Sequence, residues 1–413
     1  MEVVYRCCAG IDVHKKSIVV NLLRRGVTGQ RDLDEVKSFG TMTRDLLAAA
    51  GWMEQAGCGH VAMESTGVYW KPIYNILAAE GLEVLLVNAQ HIKNVPGRKT
   101  DVLDCQWIGQ LLQHGLLRGS FIPPEPIREL RDLTRQRKQL VRQRASCVQR
   151  IQKVLEDANI KLSSVATDVV GKSGWDMLNK IVTGETDAAR MAALARGRLK
   201  SKKDQLIPAL EGRVTDHHRF LLRQHMQQIE FLDTMISEYE QRIEEQMHPF
   251  SEYVRVLDTI PGINPIAAAA VIAELGANMD QYPNEHHLSS WAGMCPGNNE
   301  SAGKHRSGRT RHGSTWLRSL LVETAWSAAR TKGSYFSSQF KRLAARRGKK
   351  RALVAVAHSI LIVIYHVMKN KVPYKELGDD FFEKLNGSRL TTYYRRRLEK
   401  LGFEVSLTPR EAA

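Results

Sequence analysis

An acid stands inside a run that otherwise reads as a buried β-strand. In Cys8-Ala9-Gly10-Ile11-Asp12-Val13 every neighbour of Asp12 is small or apolar. A lone carboxylate in such surroundings is costly unless it is paired or holds a cation. The following residues set its frame. His14-Lys15-Lys16 reads as a turn and Ser17 to Leu23 as a second β-rich run, which together predict a hairpin. Thr41 to Gln55 has helical spacing, and His60-Val61-Ala62-Met63-Glu64 predicts a strand that ends in an acid. Val68 to Ala79 suits a helix and Glu83 to Val87 a strand. Strands alternating with helices imply a sheet covered by helices. After Pro96-Gly97, Thr100 is placed to cap a helix that runs to about Leu117.

That helix carries Asp101 and Asp104, whose i, i+3 spacing puts both on one face. Phosphoryl transfer needs charge neutralised on the non-bridging oxygens, and a pair of hard cations roughly 4 Å apart supplies it. Mg²⁺ or Mn²⁺ takes carboxylate oxygens for this purpose. Each acid also has a plain use. Asp12 can accept bonds from the turn after it, Glu64 can pair with Lys71, and Asp101 and Asp104 can favour a helix N-terminus by about 0.3–1 kcal/mol. The combination of strand acid, strand acid and paired helix acids in one α/β domain matches a ribonuclease-H-like fold with a metal site.

The rest of the chain changes character twice. Phe121-Ile122-Pro123-Pro124-Glu125-Pro126 reads as a linker, and Ile127 to Leu162 as one long basic helix. Arg128, Arg131, Arg135, Lys138 and Arg142 on it are the expected nucleic-acid-binding residues. A second long helix is expected over Asp204 to Met247, so the two predict a coiled-coil arm or an ordinary bundle, with the less regular 163–203 as its distal end or an insertion. From about Tyr253 the pattern is mainly helical. The expected domains are therefore 1–122, 123–250 and 251–413. The net charge of +16 calls for a polyanionic partner, and nucleic acid is the commonest. No C-x-x-C pair or zinc spacing unites the six cysteines, which read as reduced thiols. No membrane span is expected. The first residues lack a signal-peptide core, and the apolar run Ala352 to Met368 reads as a buried helix. His358 and His366 within it read as core residues.

Several stretches carry a resemblance. GIDVHKKSIVV, MESTGVYWKPIYNIL and NAQHIKNVPGRKTDVLDCQWIGQLL, with IPGINPIAAAAVIAELG and LSSWAGMCPGNNESAGKHRSGRTRHGSTWLRSLL, resemble the IS110 family of transposases. The resemblance implies a RuvC-like domain with a DEDD tetrad on Asp12, Glu64, Asp101 and Asp104. It also implies a C-terminal transposase domain whose nucleophile is Ser301. It brings in a DNA substrate, a covalent phosphoserine intermediate, a structured non-coding guide RNA, a homo-oligomer (dimer or tetramer) and a place at the prokaryotic nucleoid. A serine hydroxyl is a weak nucleophile that needs activation, and attack on phosphate needs cations nearby. Lys304, Arg306, Arg309 and Arg311 follow it directly. Ser289, Ser290 and Ser307 are rival nucleophiles. The Ile260-Pro261-Gly262-Ile263 turn reads equally as a phosphate-holding helix-hairpin-helix element or a plain corner. There is no G-x-x-x-x-G-K-[ST] loop, in keeping with chemistry that needs no ATP. Two other functions stay open: a RuvC-like junction nuclease that hydrolyses with water, and a non-catalytic RNA-binding module.

Overall fold

The computed structural model describes residues 2–26, 32–65, 67–88, 92, 103–297, 300, 301, 303–305, 308–385 and 387–406, with only the backbone at 300, 301, 304, 305 and 388–390. The chain forms two compact units, Met1–Pro123 and Pro124–Ala413.

The first unit is built on a mixed sheet of five strands in the order β3-β2-β1-β4-β5. Its strands are β1 (Cys7–Val13), β2 (Ser17–Arg24), β3 (Leu33–Gly40), β4 (His60–Glu64) and β5 (Glu83–Val87). β1, β2 and β3 pair antiparallel, whereas β4 joins β1, and β5 joins β4, in parallel. This is the arrangement expected of a ribonuclease-H-like domain. Helices cover both faces, and strand alternation decides which residues meet which helix. Ala9, Ile11 and Val13 pack with Leu46, Ala49 and Met53 of α1 (Thr43–Gln55) and Ile73 and Leu77 of α2 (Trp70–Ala79). Cys8 and Ala62 face the other way, onto Ile108, Leu111 and Leu112 of α3 (Asp104–Gln113).

Gly10 is the point of closest approach between α3 and the sheet. A Cβ there would lie 2.2 Å from the Cys105 carbonyl oxygen and 2.2 Å from the Gly109 nitrogen. Both are backbone atoms, so the helix itself would have to move. Gly10→Ala is therefore expected to destabilise the first unit by roughly 3 kcal/mol, the upper end of ordinary overpacking. Chemical denaturation followed through tryptophan fluorescence would measure it, and a variant as stable as the parent would refute this packing.

In the second unit, α4 (Glu125–Asp157) and α9 (Asp216–Met247) run side by side. Arg137 meets Glu240, Arg144 meets Asp233 and Asp157 meets His218, so numbers that rise on one helix meet numbers that fall on the other. The pair is antiparallel. At its distal end α5 (Leu162–Val165), α6 (Lys172–Val182), α7 (Ala188–Ala192) and α8 (Lys203–Leu210) complete a core around Leu140, Ile151, Leu178, Leu206 and Leu222. The single helix expected over Asp204 to Met247 is broken between α8 and α9. There Lys161 donates to the Ala209 carbonyl and Arg213 to the Ala158 carbonyl, and a Cβ on Gly212 would lie 2.5 Å from that same carbonyl oxygen. Thr215 then caps α9 by accepting from the His218 amide.

The proximal end of the pair joins a separate core. Ile127 and Leu130 of α4 pack there with residues of α10 (Ser251–Leu257), α11 (Pro265–Leu275), α12 (Glu285–Trp291), α13 (Thr315–Ala328), α14 (Tyr335–Arg347) and α15 (Lys349–Asn370). The 260–263 turn reverses at Gly262 (φ +88°), where a Cβ would lie 2.5 Å from the Thr324 carbonyl oxygen, so it is pressed against α13. By length and composition α15 could cross a membrane. Val356, Ala357, Ile360, Leu361 and Ile364 are fully buried in this core, which gives it an internal role. His366, expected in the core, keeps an exposed side chain 4.0 Å from Glu285. The short α16 (Phe381–Leu385) and α17 (Gly387–Glu399) end the described chain.

Candidate active site

The strand acids are brought together by register. Ile11 pairs with Met63 in the parallel β1–β4 ladder, so one residue further on Asp12 and Glu64 occupy neighbouring positions. Laterally adjacent residues of a parallel pair share a face. Their face is the one that carries Gly10 and Ala62, which α3 covers. Asp104 opens α3, immediately before Cys105. The Cys105 thiol senses the convergence. Burial is the main cause that raises its pKa, and the charges of Asp12 and Asp104 both add to it. His14 completes the near surroundings, with Nε2 3.1 Å from Asp12 Oδ2. Asp12 keeps 22% of its side chain exposed, so an ion or substrate can reach it.

One expectation needs correction. The helix expected from Thr100 begins at Asp104, and Leu103 before it is extended (φ −60°, ψ 149°). Leu103 caps the helix by donating its amide to Gln106 Oε1 at 3.3 Å. Thr100 and Asp101 lie outside the described residues. Among the described residues no three His, Cys, Asp or Glu side chains gather as a ready cation cage. The donor set nevertheless suits a hard cation. It consists of carboxylate oxygens on one face at the carboxyl ends of neighbouring strands, and the Cys105 thiol beside it feels the charges of Asp12 and Asp104.

The serine lies in the second unit, in a hairpin of β6 (Glu300–Ser301) and β7 (Lys304–His305). Ser301 pairs with Lys304 across a two-residue turn, in which Gly303 takes the left-handed conformation (φ +71°). Further out, Gly297 donates to the Arg309 carbonyl at 2.9 Å and Pro296 bridges Thr310. From Gly297 to Glu300 is three steps and from Arg309 back to His305 is four, so the return arm holds one extra residue. The base is closed by glycines: a Cβ on Gly313 would lie 2.3 Å from the Ala292 carbonyl oxygen. Arg309 and Arg311 are exposed on the return arm. Arg306 and Ser307 lie outside the described residues, and of Lys304 only the backbone is described. Among the rivals Ser289 is 1% exposed, shut away in α12.

The basic helix is partly occupied from within. Arg131 Nε donates to the Ala273 carbonyl at 2.8 Å, and its terminal nitrogen to the Glu274 carbonyl at 3.0 Å. Arg135 holds the Glu274 carboxylate with both arms of its fork, at 2.7 and 2.9 Å. Both guanidiniums thus tie α4 to the end of α11 instead of lining a free surface. Glu274 is only 5% exposed, and charge counting alone did not find it. The nearest signal was an acid in the otherwise apolar Ala-rich helix. Ser314, the N-cap of α13, donates to the same carboxylate at 3.1 Å. Lys138 reaches Ser319 at 2.9 Å and also pairs with Glu323, and Arg142 lies over the Trp316 ring at 5.4 Å. Arg128 is likewise engaged within the protein. The cysteines are unpaired, as expected, and burial pushes the Cys8 and Cys58 thiols up to about 12.

Comparison with known proteins bears directly on these two sites. Residues 9–160 match a transposase model of the DEDD IS110 type, and residues 254–341 match the transposase model of the IS116/IS110/IS902 family. A transposase for insertion sequence element IS1111A from Coxiella burnetii (strain RSA 493 / Nine Mile phase I) is 24% identical over 330 residues, which are 78% of this chain and 80% of the relative. An insertion element IS116 uncharacterized 44.8 kDa protein from Streptomyces clavuligerus is 22% identical over 328 residues, 70% of this chain and 79% of the relative. Among solved structures, T. thermophilus RuvC in complex with Holliday junction substrate matches 28% of this chain and 100% of its own, at 11% identity and a TM-score of 0.21. The strand acids fall inside the first matched segment and the serine hairpin inside the second, and the chain belongs to the IS116/IS110/IS902 family of transposases.

Proposed function

We propose that this chain cuts and rejoins DNA through Ser301, with Asp12, Glu64, Asp101 and Asp104 as the carboxylates that serve the reaction. The observation that carries the proposal is the β1–β4 register, which sets Asp12 beside Glu64 on the face closed by the helix that Asp104 opens. Two such acids at adjacent strand ends have no structural need of each other, because like charges side by side cost stability. Mg²⁺ or Mn²⁺ held by these acids would neutralise charge on the non-bridging phosphate oxygens.

The chain's own groups do the rest. The hydroxyl of Ser301 loses its proton and attacks phosphorus, so a serine–phosphate bond forms as one bridging P–O bond breaks. The departing strand oxygen takes up a proton and becomes a free hydroxyl. A hydroxyl of the partner strand then attacks the phosphoserine, restores a phosphodiester and returns Ser301. The bond count is unchanged throughout, so no nucleotide triphosphate is consumed. Lys304, Arg306, Arg309 and Arg311 counter the phosphate charge during both attacks. Arg142 remains the arm residue placed to meet backbone phosphates, whereas Arg131, Arg135 and Lys138 are engaged within the second unit. The working protein acts in the prokaryotic cytoplasm as a homo-oligomer with a structured guide RNA from its element.

The test is one incubation of protein, element RNA and end-labelled DNA with Mg²⁺, resolved on a denaturing gel. A labelled band of protein linked to DNA is expected. Free cleaved ends without any linked protein would instead establish hydrolysis by water, and RNA binding with no cleavage would remove the enzymatic reading.

A further inference from the structure

A cavity of about 520 Å³ in the second unit is lined by Gly308, Arg309, Arg347 and Arg351. Three arginines converge there, and among the described residues the lining holds no acid. Arg347 is the last residue of α14, and Arg351 sits in the first turn of α15. Gly348 joins the two helices at φ +79°, ending one and starting the other. This left-handed joint lets residues from separate helices face one space. Arg347 and Arg351 are exposed, and neither makes an ion pair, side-chain hydrogen bond or ring contact with a described residue.

The cluster differs from Arg135, Arg137 and Arg144 of the same unit, each of which answers a carboxylate. It also works against the helix it belongs to. The first turn of α15 carries Lys349, Lys350 and Arg351 and no acid. Cations at a helix N-terminus oppose the macrodipole, which favours an anion there. Both features favour negative charge at one place, and among the described residues no acid lines it.

We infer that Arg309, Arg347 and Arg351 form a phosphodiester-binding site that holds the backbone of a nucleic-acid strand next to the return arm of the serine hairpin. The inference rests on the transposase reading only for whose phosphate it is. Guanidinium forks match phosphate oxygens in pairs, which suits a site built from arginine. Among the described residues the lining includes no aromatic or aliphatic side chain to take a base, so a free nucleotide would be held mainly by its phosphates. The site therefore reads backbone and not sequence. The backbone of Arg309 is tied to Gly297 at 2.9 Å, so a phosphate held here is fixed relative to the outer rungs of the hairpin.

The test uses the full chain with labelled duplex DNA in one arm and a labelled single-stranded RNA in the other, each titrated by anisotropy across a salt series. The Arg347→Ala/Arg351→Ala pair should weaken binding about tenfold and lower the slope of log affinity against log salt by roughly one, as expected for one lost phosphate. Arg346→Ala/Lys350→Ala removes the same charge outside the cavity and should cost under about threefold. Arg347→Lys/Arg351→Lys should keep the slope while losing part of the affinity. A loss in the DNA arm assigns the phosphate to DNA and a loss in the RNA arm to RNA, and both support the site. Equal losses for the cavity pair and its control, or no loss in either arm, would overturn it. Such a result leaves the Ser301-linked adduct untouched, so the site and the reaction can fail separately.

Discussion

Asp12→Asn lowers strand exchange by about a thousandfold or more, on the scale of removing a principal electrostatic group from a phosphoryl-transfer site. Nucleic-acid binding stays within about threefold, because basic residues elsewhere carry that affinity. The substitution keeps size and shape and removes only charge. Asp12 is fixed by ladders to β2 on one side and β4 on the other, so the backbone has little freedom to respond. Stability provides a second readout. A carboxylate kept for its structure would leave the protein weaker when lost, whereas one kept for catalysis beside Glu64 leaves it as stable or more so. Inactive protein with an unchanged or raised melting temperature is the expected pair of results. Ser301→Ala should match the loss of exchange and in addition form no covalent adduct. Exchange within tenfold of the parent in either variant would remove that residue from the chemistry.

Glu274→Gln should cost the second unit about 3 kcal/mol, among the largest effects expected of a single substitution away from the acids and the serine. Its carboxylate is almost wholly buried and takes both arms of Arg135 and the hydroxyl of Ser314. Glutamine keeps one acceptor, loses the charge and leaves the half-buried Arg135 guanidinium with half its bonds at a buried site. Asp233→Asn is the natural contrast. It breaks another two-armed pair, with Arg144, whose members are 33% and 47% exposed. Solvent screening limits that cost to under about 1 kcal/mol. Urea denaturation of both variants gives the comparison, and equal losses would show that Glu274 is no anchor.

Much of the first unit was legible because its signals are local. The His60–Glu64 and Glu83–Val87 strands are where an apolar run bounded by turns puts them. β3 gave no such signal. It is an edge strand whose residues Asp34 to Ser38 are exposed, so its sequence carries no inward face. The acids were visible singly, but their meeting is a matter of register, which no stretch of sequence states. Asp104 stands at the very start of its helix, later than a cap at Thr100 would place that start. The basic helix misled most. A row of arginines reads the same in sequence whether it faces solvent or, as with Arg131 and Arg135, the carbonyls and the carboxylate at the end of another helix. That partner becomes apparent only when α4 and α11 are packed together.

The two hydrophobic cores of the second unit are threaded on the same helices. Leu130 belongs to one and Leu155 to the other. At 1.5 Å per residue these side chains stand roughly 38 Å apart along α4. Between them the helix is gripped at Arg135 by Glu274, which also holds the serine that caps α13, directly after the closed base of the hairpin. Lys138 and Arg142 carry the grip on to Ser319, Glu323 and Trp316 of α13, so the arm and the capped start of α13 share one clamp, and loosening it at Glu274 would free the arm and unseat the base of the hairpin together.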